Sequence, residues 1–162
     1  MFKEIFSAFN QRKIKYLITG GVAVVLYGVL RTTADLDLIV DLEKKNLEKI
    51  WETLLELGYV PRIPIKKEEF NLENLKKWMR EKNLKAFSFY HKKEPFKVVD
   101  LVLELNFEKL YKRKKIFKID HLKVPVVSLD DLIKLKKKAG RKEDILDIER
   151  LKEIKKYGKG SS

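Results

Sequence analysis

The spacing of hydrophobic and polar positions changes repeatedly along the chain, and each change marks an element. Ile5, Phe6 and Phe9 recur at helical spacing among charged neighbours, so 3–13 reads as an amphipathic helix. A short unbroken apolar run, Tyr16-Leu17-Ile18, reads as a strand over 15–19 that stops at Gly20-Gly21. Small apolar residues then give a short buried helix over 21–29, closing at Gly28, and a second apolar run gives a strand over 36–41. Leu47, Ile50, Trp51, Leu54 and Leu57 form a helical stripe over 44–57, with Gly58 as its stop signal. Tyr59-Val60-Pro61 belongs at a sheet edge, because proline cannot donate to a central ladder.

In the second half, 68–82 reads as a polar helix carrying Leu72, Leu75 and Trp78-Met79 on one side. Strands follow over 85–90 and 96–103, then a short helix over 107–112 and two short strands over 116–119 and 124–127. Ser128 is an N-cap with Asp130 and Asp131 in the first turn of a helix that runs to Ala139 and breaks at Gly140. A last helix occupies about 141–157. These elements predict an α+β fold, a mixed β-sheet with flanking helices and a C-terminal helical segment, in a single domain over 1–157 with a disordered tail over 158–162.

Composition narrows the function. The 162 residues contain no cysteine, which excludes disulfides, thiolate catalysis and Cys-ligated zinc or iron–sulfur sites. The longest apolar stretch, 22–30, is far short of a membrane span of ~20 residues. No secretory signal pattern appears at the N-terminus, so the expectation is a cytoplasmic protein with no membrane partner. The Lys, Glu and Ile load suits a thermophile. A net charge of +13 has a bland explanation in a solvated lysine-rich surface. Basic residues are nevertheless clustered at 66–67, 76–77, 92–93, 112–115 and 134–138, which tips the reading toward a polyanion, either RNA or a nucleotide polyphosphate.

The candidate chemistry begins at Thr19-Gly20-Gly21 and continues at Asp35-Leu36-Asp37. Alternate residues of a strand share a face, which would set Asp35 and Asp37 side by side with Cα atoms about 6.5–7 Å apart. Two carboxylates on an otherwise apolar strand need a counter-charge, and magnesium prefers carboxylate and phosphate oxygens. Asp100 interrupts the apolar run Val98-Val99-Leu101-Val102-Leu103 and so needs a cation or a hydrogen-bond donor, with Glu104 on the same strand face as its alternative. Asp41 also shares a face with Asp35 and Asp37 but falls past the strand end. Gly20 and Gly21 let backbone N–H groups approach a phosphate at a helix N-terminus, and Arg31 is either a phosphate clamp or an ion-pair partner of Asp35 or Asp37. Arg141, Asp144 and Asp147 fall on one helix side, where salt bridging along the helix is the plain alternative to a site role. His91 and His121 sit in turns and read as surface residues.

The segments Gly20-Gly21 through Gly28, Arg31-Thr32-Thr33-Ala34-Asp35-Leu36-Asp37 and Phe96 through Leu103 resemble the nucleotidyltransferase superfamily with the polymerase-beta-like fold. Within it the pattern is similar to the small AbiE-type toxin-related proteins, which carry a Lys…Arg-x-x-Asp-x-x-Asp pattern like that of Lys136, Arg141, Asp144 and Asp147. The likeness touches 16–41, 96–105 and 128–152, and the chain departs from it in carrying glycine at 21, where relatives with Gly-Ser have a hydroxyl; Thr19 is a substitute. The resemblance implies catalysis and metal binding by Asp35, Asp37 and Asp100, and nucleotide binding by Thr19, Gly20, Gly21, Arg31, Lys136 and Arg141. Asp144 and Asp147 would be accessory. It implies Mg²⁺, with Mn²⁺ as the alternative, and an NTP whose NMP passes to RNA, a protein side chain or a small molecule. A toxin-type enzyme with an antitoxin partner is one form of this reading. The competing readings are a nucleotide- or nucleic-acid-binding module without turnover and a subunit that needs a partner chain to complete the site.

Overall fold

The computed structural model describes residues 2–158; of the expected tail, 159–162 lies outside the described residues. Seven α-helices, one 3₁₀ turn and seven strands follow one another as α1 (Lys3–Gln11), β1 (Tyr16–Thr19), α2 (Gly20–Leu26), β2 (Leu36–Val40), α3 (Lys44–Glu56), β3 (Tyr59–Pro61), the 3₁₀ turn Lys67–Glu69, α4 (Leu72–Lys82), β4 (Ala86–His91), β5 (Val98–Val102), α5 (Phe107–Lys112), β6 (Lys115–Ile119), β7 (Leu122–Val126), α6 (Leu129–Ala139) and α7 (Lys142–Gly158). All seven strands form one mixed sheet in the order β3-β4-β5-β2-β1-β7-β6. This is the mixed α+β architecture that the periodicity predicts.

The centre of the sheet is set by two crossovers. β1 returns through α2 to pair antiparallel with β2, whereas β2 pairs parallel with β5, and β1 pairs parallel with β7. The two hairpins β4–β5 and β6–β7 extend it on either side, and Pro61 sits in the edge strand β3, where its missing N–H costs no central ladder bond. Strand β1 is buried throughout, so its apolar run needs no alternation. Helix α1 packs on α3 and β7, while α6 packs on α2 and α7.

Two differences from the sequence reading have local causes. The helix expected over 68–82 is broken into the 3₁₀ turn and α4, because Asn71 leaves helical geometry and its side chain accepts from the Asn74 backbone N–H as an N-cap. Phe70 is thereby turned into an aromatic cluster with Trp51, Phe87 and Phe89. Asp131 is more than a first-turn charge: it is 3% exposed and accepts twice from Arg113, at 2.8 and 3.1 Å, fastening α6 to the end of α5. Ser128 caps α6 as expected, its Oγ accepting from the Asp131 backbone N–H, and the helix ends at Gly140 in the left-handed region at φ 64°.

Candidate active site

Strand register assembles the site. Thr19 of β1 lies opposite Asp37 of β2, Asp37 lies beside Asp100 of β5, and Asp100 lies opposite Ser88 of β4. One row across four strands therefore carries a threonine, two carboxylates and a serine on the same sheet face. The row continues outward, since the Arg62 backbone N–H donates to the Ser88 carbonyl at 2.9 Å. Ser88 Oγ donates to Asp100 Oδ1 at 2.5 Å, which fixes that carboxylate beside Asp37. Ser88 was not singled out from sequence, although the alternation Phe87-Ser88-Phe89, with both rings fully buried, already places the serine on the opposite face.

Asp35 differs from its expected place. Strand β2 begins at Leu36, so Asp35 stands in the bend before the ladder and is not held by strand alternation. Among the described residues, no group of three or more His, Cys, Asp or Glu side chains stands close enough to hold a metal ion as placed. Asp35 still reaches the site electrostatically. Burial, then the charge of Asp100, raises its carboxyl above the ordinary range, with Arg62 opposing. Asp37 is pushed up to about 7, first by burial, then by the charge of Asp100 and a hydrogen bond shared with it, then by Asp35; Arg141 opposes the shift. The donor set is thus all-carboxylate, the oxygen chemistry that suits a hard divalent cation.

The glycine turn is shaped to this pair. Gly20 has φ +64°, and a Cβ there would lie 2.0 Å from Asp37 Oδ2. At Gly21 a Cβ would lie 2.4 Å from Thr33 Oγ1, so the Thr33 hydroxyl fills the space in which a serine at 21 would begin. Thr19, the expected substitute, is buried and makes no side-chain cap to α2. We predict that Gly20→Ala lowers kcat/KM for nucleotidyl transfer by ~10²-fold or more, because the methyl group displaces the Asp37 carboxylate, while the backbone strain costs about 1–2 kcal/mol. Steady-state assays and a melting curve separate the two effects; full activity in Gly20→Ala would show that the close approach is not used.

The C-terminal motif residues gather behind the acids. Lys136 is 5% exposed, and its Nζ contacts Asp144 Oδ1 at 3.1 Å and Asp147 Oδ2 at 2.9 Å. Asp147 also pairs with Arg31, which among the described residues makes no ion pair with Asp35 or Asp37. Arg141 donates to Asp144 from Nε at 3.0 Å and from its backbone N–H at 3.0 Å. Burial pushes the Asp144 carboxyl up, but hydrogen bonds from Arg141 and Lys136 outweigh it and hold it below the usual range. Arg141 pairs along the chain with Glu143 and Asp144, whereas Asp147 turns inward to Arg31 and Lys136, against the plain expectation for that helix side.

Asp37, Lys136 and Arg141 form a shared wall between two cavities. One, about 340 Å³, is lined by Gly21, Arg31, Thr32, Thr33 and Asp35. The other, about 480 Å³, runs from Asp100 along Ala86, Val102 and Glu104 to Leu135 and Lys138. Glu104, the alternative third acid, lies beyond β5 and is paired with Lys138. Asp41 stands just past the end of β2, three residues before α3, with its Oδ1 accepting from the Glu43 backbone N–H. His91 packs edge-on against Tyr59 and its Nδ1 accepts from the Lys93 and Glu94 backbone N–H groups; His121 is exposed in the β6–β7 turn.

A sequence model of the aminoglycoside-2″-adenylyltransferases matches residues 1–151. The chain belongs to that family. As a member of the aminoglycoside-2″-adenylyltransferase family it is a nucleotidyltransferase, and solved structures of such enzymes share its fold. The lincosamide antibiotic adenylyltransferase LnuA, bound to lincomycin, is 19% identical with a TM-score of 0.62, over 95% of this chain and 98% of that one. ANT(2″)-Ia, in complex with adenylyl-2″-tobramycin, is 14% identical with a TM-score of 0.58, over 99% and 95%. A nucleotidyltransferase-like protein from Paracoccidioides brasiliensis is 16% identical with a TM-score of 0.56, over 91% and 71%. No curated protein matches the sequence. Among the described residues, no helix is long and apolar enough to cross a membrane.

Proposed function

We propose that this chain, acting as one domain, is a Mg²⁺-dependent enzyme that moves an NMP from an NTP to a hydroxyl group of a small molecule. The observation that carries this reading is the pairing of Asp37 with Asp100 across the parallel strands β2 and β5, with the Gly20 backbone pressed against Asp37. Asp37 and Asp100 would hold the metal, joined by Asp35. Bound magnesium supplies charge neutralisation at the transferred phosphate and lowers the barrier to attack by the hydroxyl.

The chain's own residues divide the work along the two cavities. The Gly21 backbone at the start of α2 and the guanidinium of Arg31 line the smaller cavity and take the β- and γ-phosphates. Arg141 reaches the same space from the start of α7. In-line displacement places the acceptor opposite the leaving pyrophosphate, hence in the larger cavity beside Asp100. The acceptor oxygen forms a bond to the α-phosphorus as the α–β bridging bond breaks, and Asp100, held by Ser88, takes the hydroxyl proton. Lys136 acts from behind: its ammonium is committed to Asp144 and Asp147, and through them it holds Arg141 and Arg31 at the phosphates.

A small acceptor is supported by the family, whose description names aminoglycosides, and by LnuA, whose title names a lincosamide. The AbiE-type relationship, with a toxin role, an RNA or protein acceptor and an antitoxin partner, rests on the motif resemblance alone.

Mg²⁺ and NTP together should stabilise the protein more than the sum of their separate effects, since phosphate oxygens complete the metal's shell. At a hundredfold excess over Kd the gain is about 2.7 kcal/mol, readable as a rise in melting temperature. Equal melting with and without nucleotide, for all four NTPs, would count against the enzyme reading. The acceptor class is tested with α-labelled NTP offered in parallel to hydroxyl-bearing small molecules and to total RNA; label entering RNA alone would overturn the small-acceptor reading.

A further inference from the structure

The larger cavity has a charge pattern of its own. Its apolar lining comes from Met79 and Leu84 at the C-terminal part of α4 and just after it, and from Leu103, Leu135 and Ala139. Its rim carries Lys85, Glu104 and Lys138. Glu104 is 14% exposed and both its oxygens accept from Lys138 Nζ, at 3.2 and 3.3 Å. Deeper in, Asp144 is taken by Lys136 and Arg141. Apart from the metal-holding pair Asp37 and Asp100, every carboxylate of the lining therefore already faces a cation. Lys85, by contrast, makes no ion pair among the described residues.

A polyamine acceptor needs unpaired carboxylates around its hydroxyl groups, and this lining offers none beyond the metal-holding pair Asp37 and Asp100. An ammonium group entering here would displace Lys138 from Glu104 or lie against Lys85, each at a Coulombic cost. We infer that the enzyme selects acceptors without cationic amines, and prefers an amphipathic hydroxyl compound whose apolar face lies along Leu84, Leu103 and Leu135 and whose anionic group meets Lys85. This inference rests on the proposed placement of the acceptor beside Asp100. It separates the chain from acceptors of the aminoglycoside kind that its family description names, since the lining carboxylates outside the metal-holding pair are already committed to lysine and arginine.

The test uses three matched fluorescent acceptors, the 4-methylumbelliferyl β-D-glucuronide, glucoside and glucosaminide, which share the apolar ring and differ in charge. With Mg²⁺ and α-labelled ATP at neutral pH, transfer and coumarin-fluorescence binding are measured for each. The glucuronide should exceed the glucosaminide by about tenfold in kcat/KM or affinity, with the glucoside between them, as expected for a change of two charge units against one partly screened lysine. Lys85→Glu should shrink that ratio by about tenfold, and Glu104→Gln, which releases Lys138, should widen it. Opposite shifts from two rim substitutions cannot come from a general loss of structure. Equal or reversed preference, a ratio moved by neither substitution, or binding of none of the three overturns the inference. Calorimetry of Mg²⁺·ATP on the same protein distinguishes the failures: nucleotide binding with the wrong acceptor order defeats the inference alone, whereas no nucleotide binding defeats the proposed function as well.

Discussion

Asp37→Asn is expected to lose nucleotidyl transfer by ~10³-fold or more while making the metal-free protein more stable. The loss follows from removing a full negative charge where the divalent cation binds, worth several kcal/mol of transition-state stabilisation at 1.36 kcal/mol per tenfold in rate. The gain follows from linkage. The Asp37 carboxyl is raised from an ordinary value to about 7, chiefly by burial and the charge of Asp100. Between the unfolded and folded values the native state holds a proton that the unfolded state has released, so stability falls as pH rises across that window, from about 4 to about 7. At pH 8 the wild-type chain carries the whole penalty, on the order of 2 kcal/mol after allowing for screening, or roughly 4–8 °C in melting temperature. Asparagine abolishes the ionisation and should flatten the pH profile, and saturating Mg²⁺ should do the same for the wild-type chain but not for the variant. A less stable Asp37→Asn at pH 8 would mean that Asp37 serves as a structural ion-pair partner.

Local patterns in the sequence were sufficient for most elements because each has a local cause. The stripe Leu47, Ile50, Trp51 and Leu54 is buried on α3, and Ser128 and Gly140 bound α6 through cap geometry that depends on a few adjacent residues. The pairing of strands is a different matter. Nothing near Asp37 or Asp100 says that β2 and β5 run parallel in the register that sets those two residues abreast; that register is fixed by the crossovers and by burial of Leu36, Leu38, Val99 and Leu101. The third acid came from resemblance, not from spacing. Alternation also overreached at Asp35, since it applies only inside the ladder, and the ladder starts one residue later. Contacts such as Arg31 with Asp147 and Arg113 with Asp131 join charges far apart in sequence, where each cation has many candidate partners. Ser88 was recoverable, because a hydroxyl between two buried phenylalanines must face the other side of the strand.

Lys136 carries the second large effect, and it separates structure from nucleotide use. Its buried ammonium lies between Asp144 and Asp147, and those carboxylates also hold Arg141 and Arg31. Lys136→Met keeps the aliphatic stem but leaves two buried acids with one fewer cation. Breaking a buried pair costs about 3–5 kcal/mol, and the two remaining guanidinium groups place this case at the lower end. The pH dependence gives the sign. In the wild-type chain the depressed Asp144 carboxyl contributes stability that is present above the unfolded value and lost as pH falls through the folded one. Without the ammonium that depression weakens, so the destabilisation of Lys136→Met relative to wild type should be largest at neutral pH and shrink on acidification. Asp147→Asn in the same background should recover part of the loss, a coupling that a double-mutant cycle reads directly. At a temperature where the variant is folded, KM for NTP should rise as Arg31 and Arg141 lose their fixed positions, with a smaller change in kcat. A variant that melts like wild type, or whose deficit grows toward acid pH, would show that Lys136 does not hold the two acids. Its place on the shared wall would then have to be read as direct contact with the nucleotide.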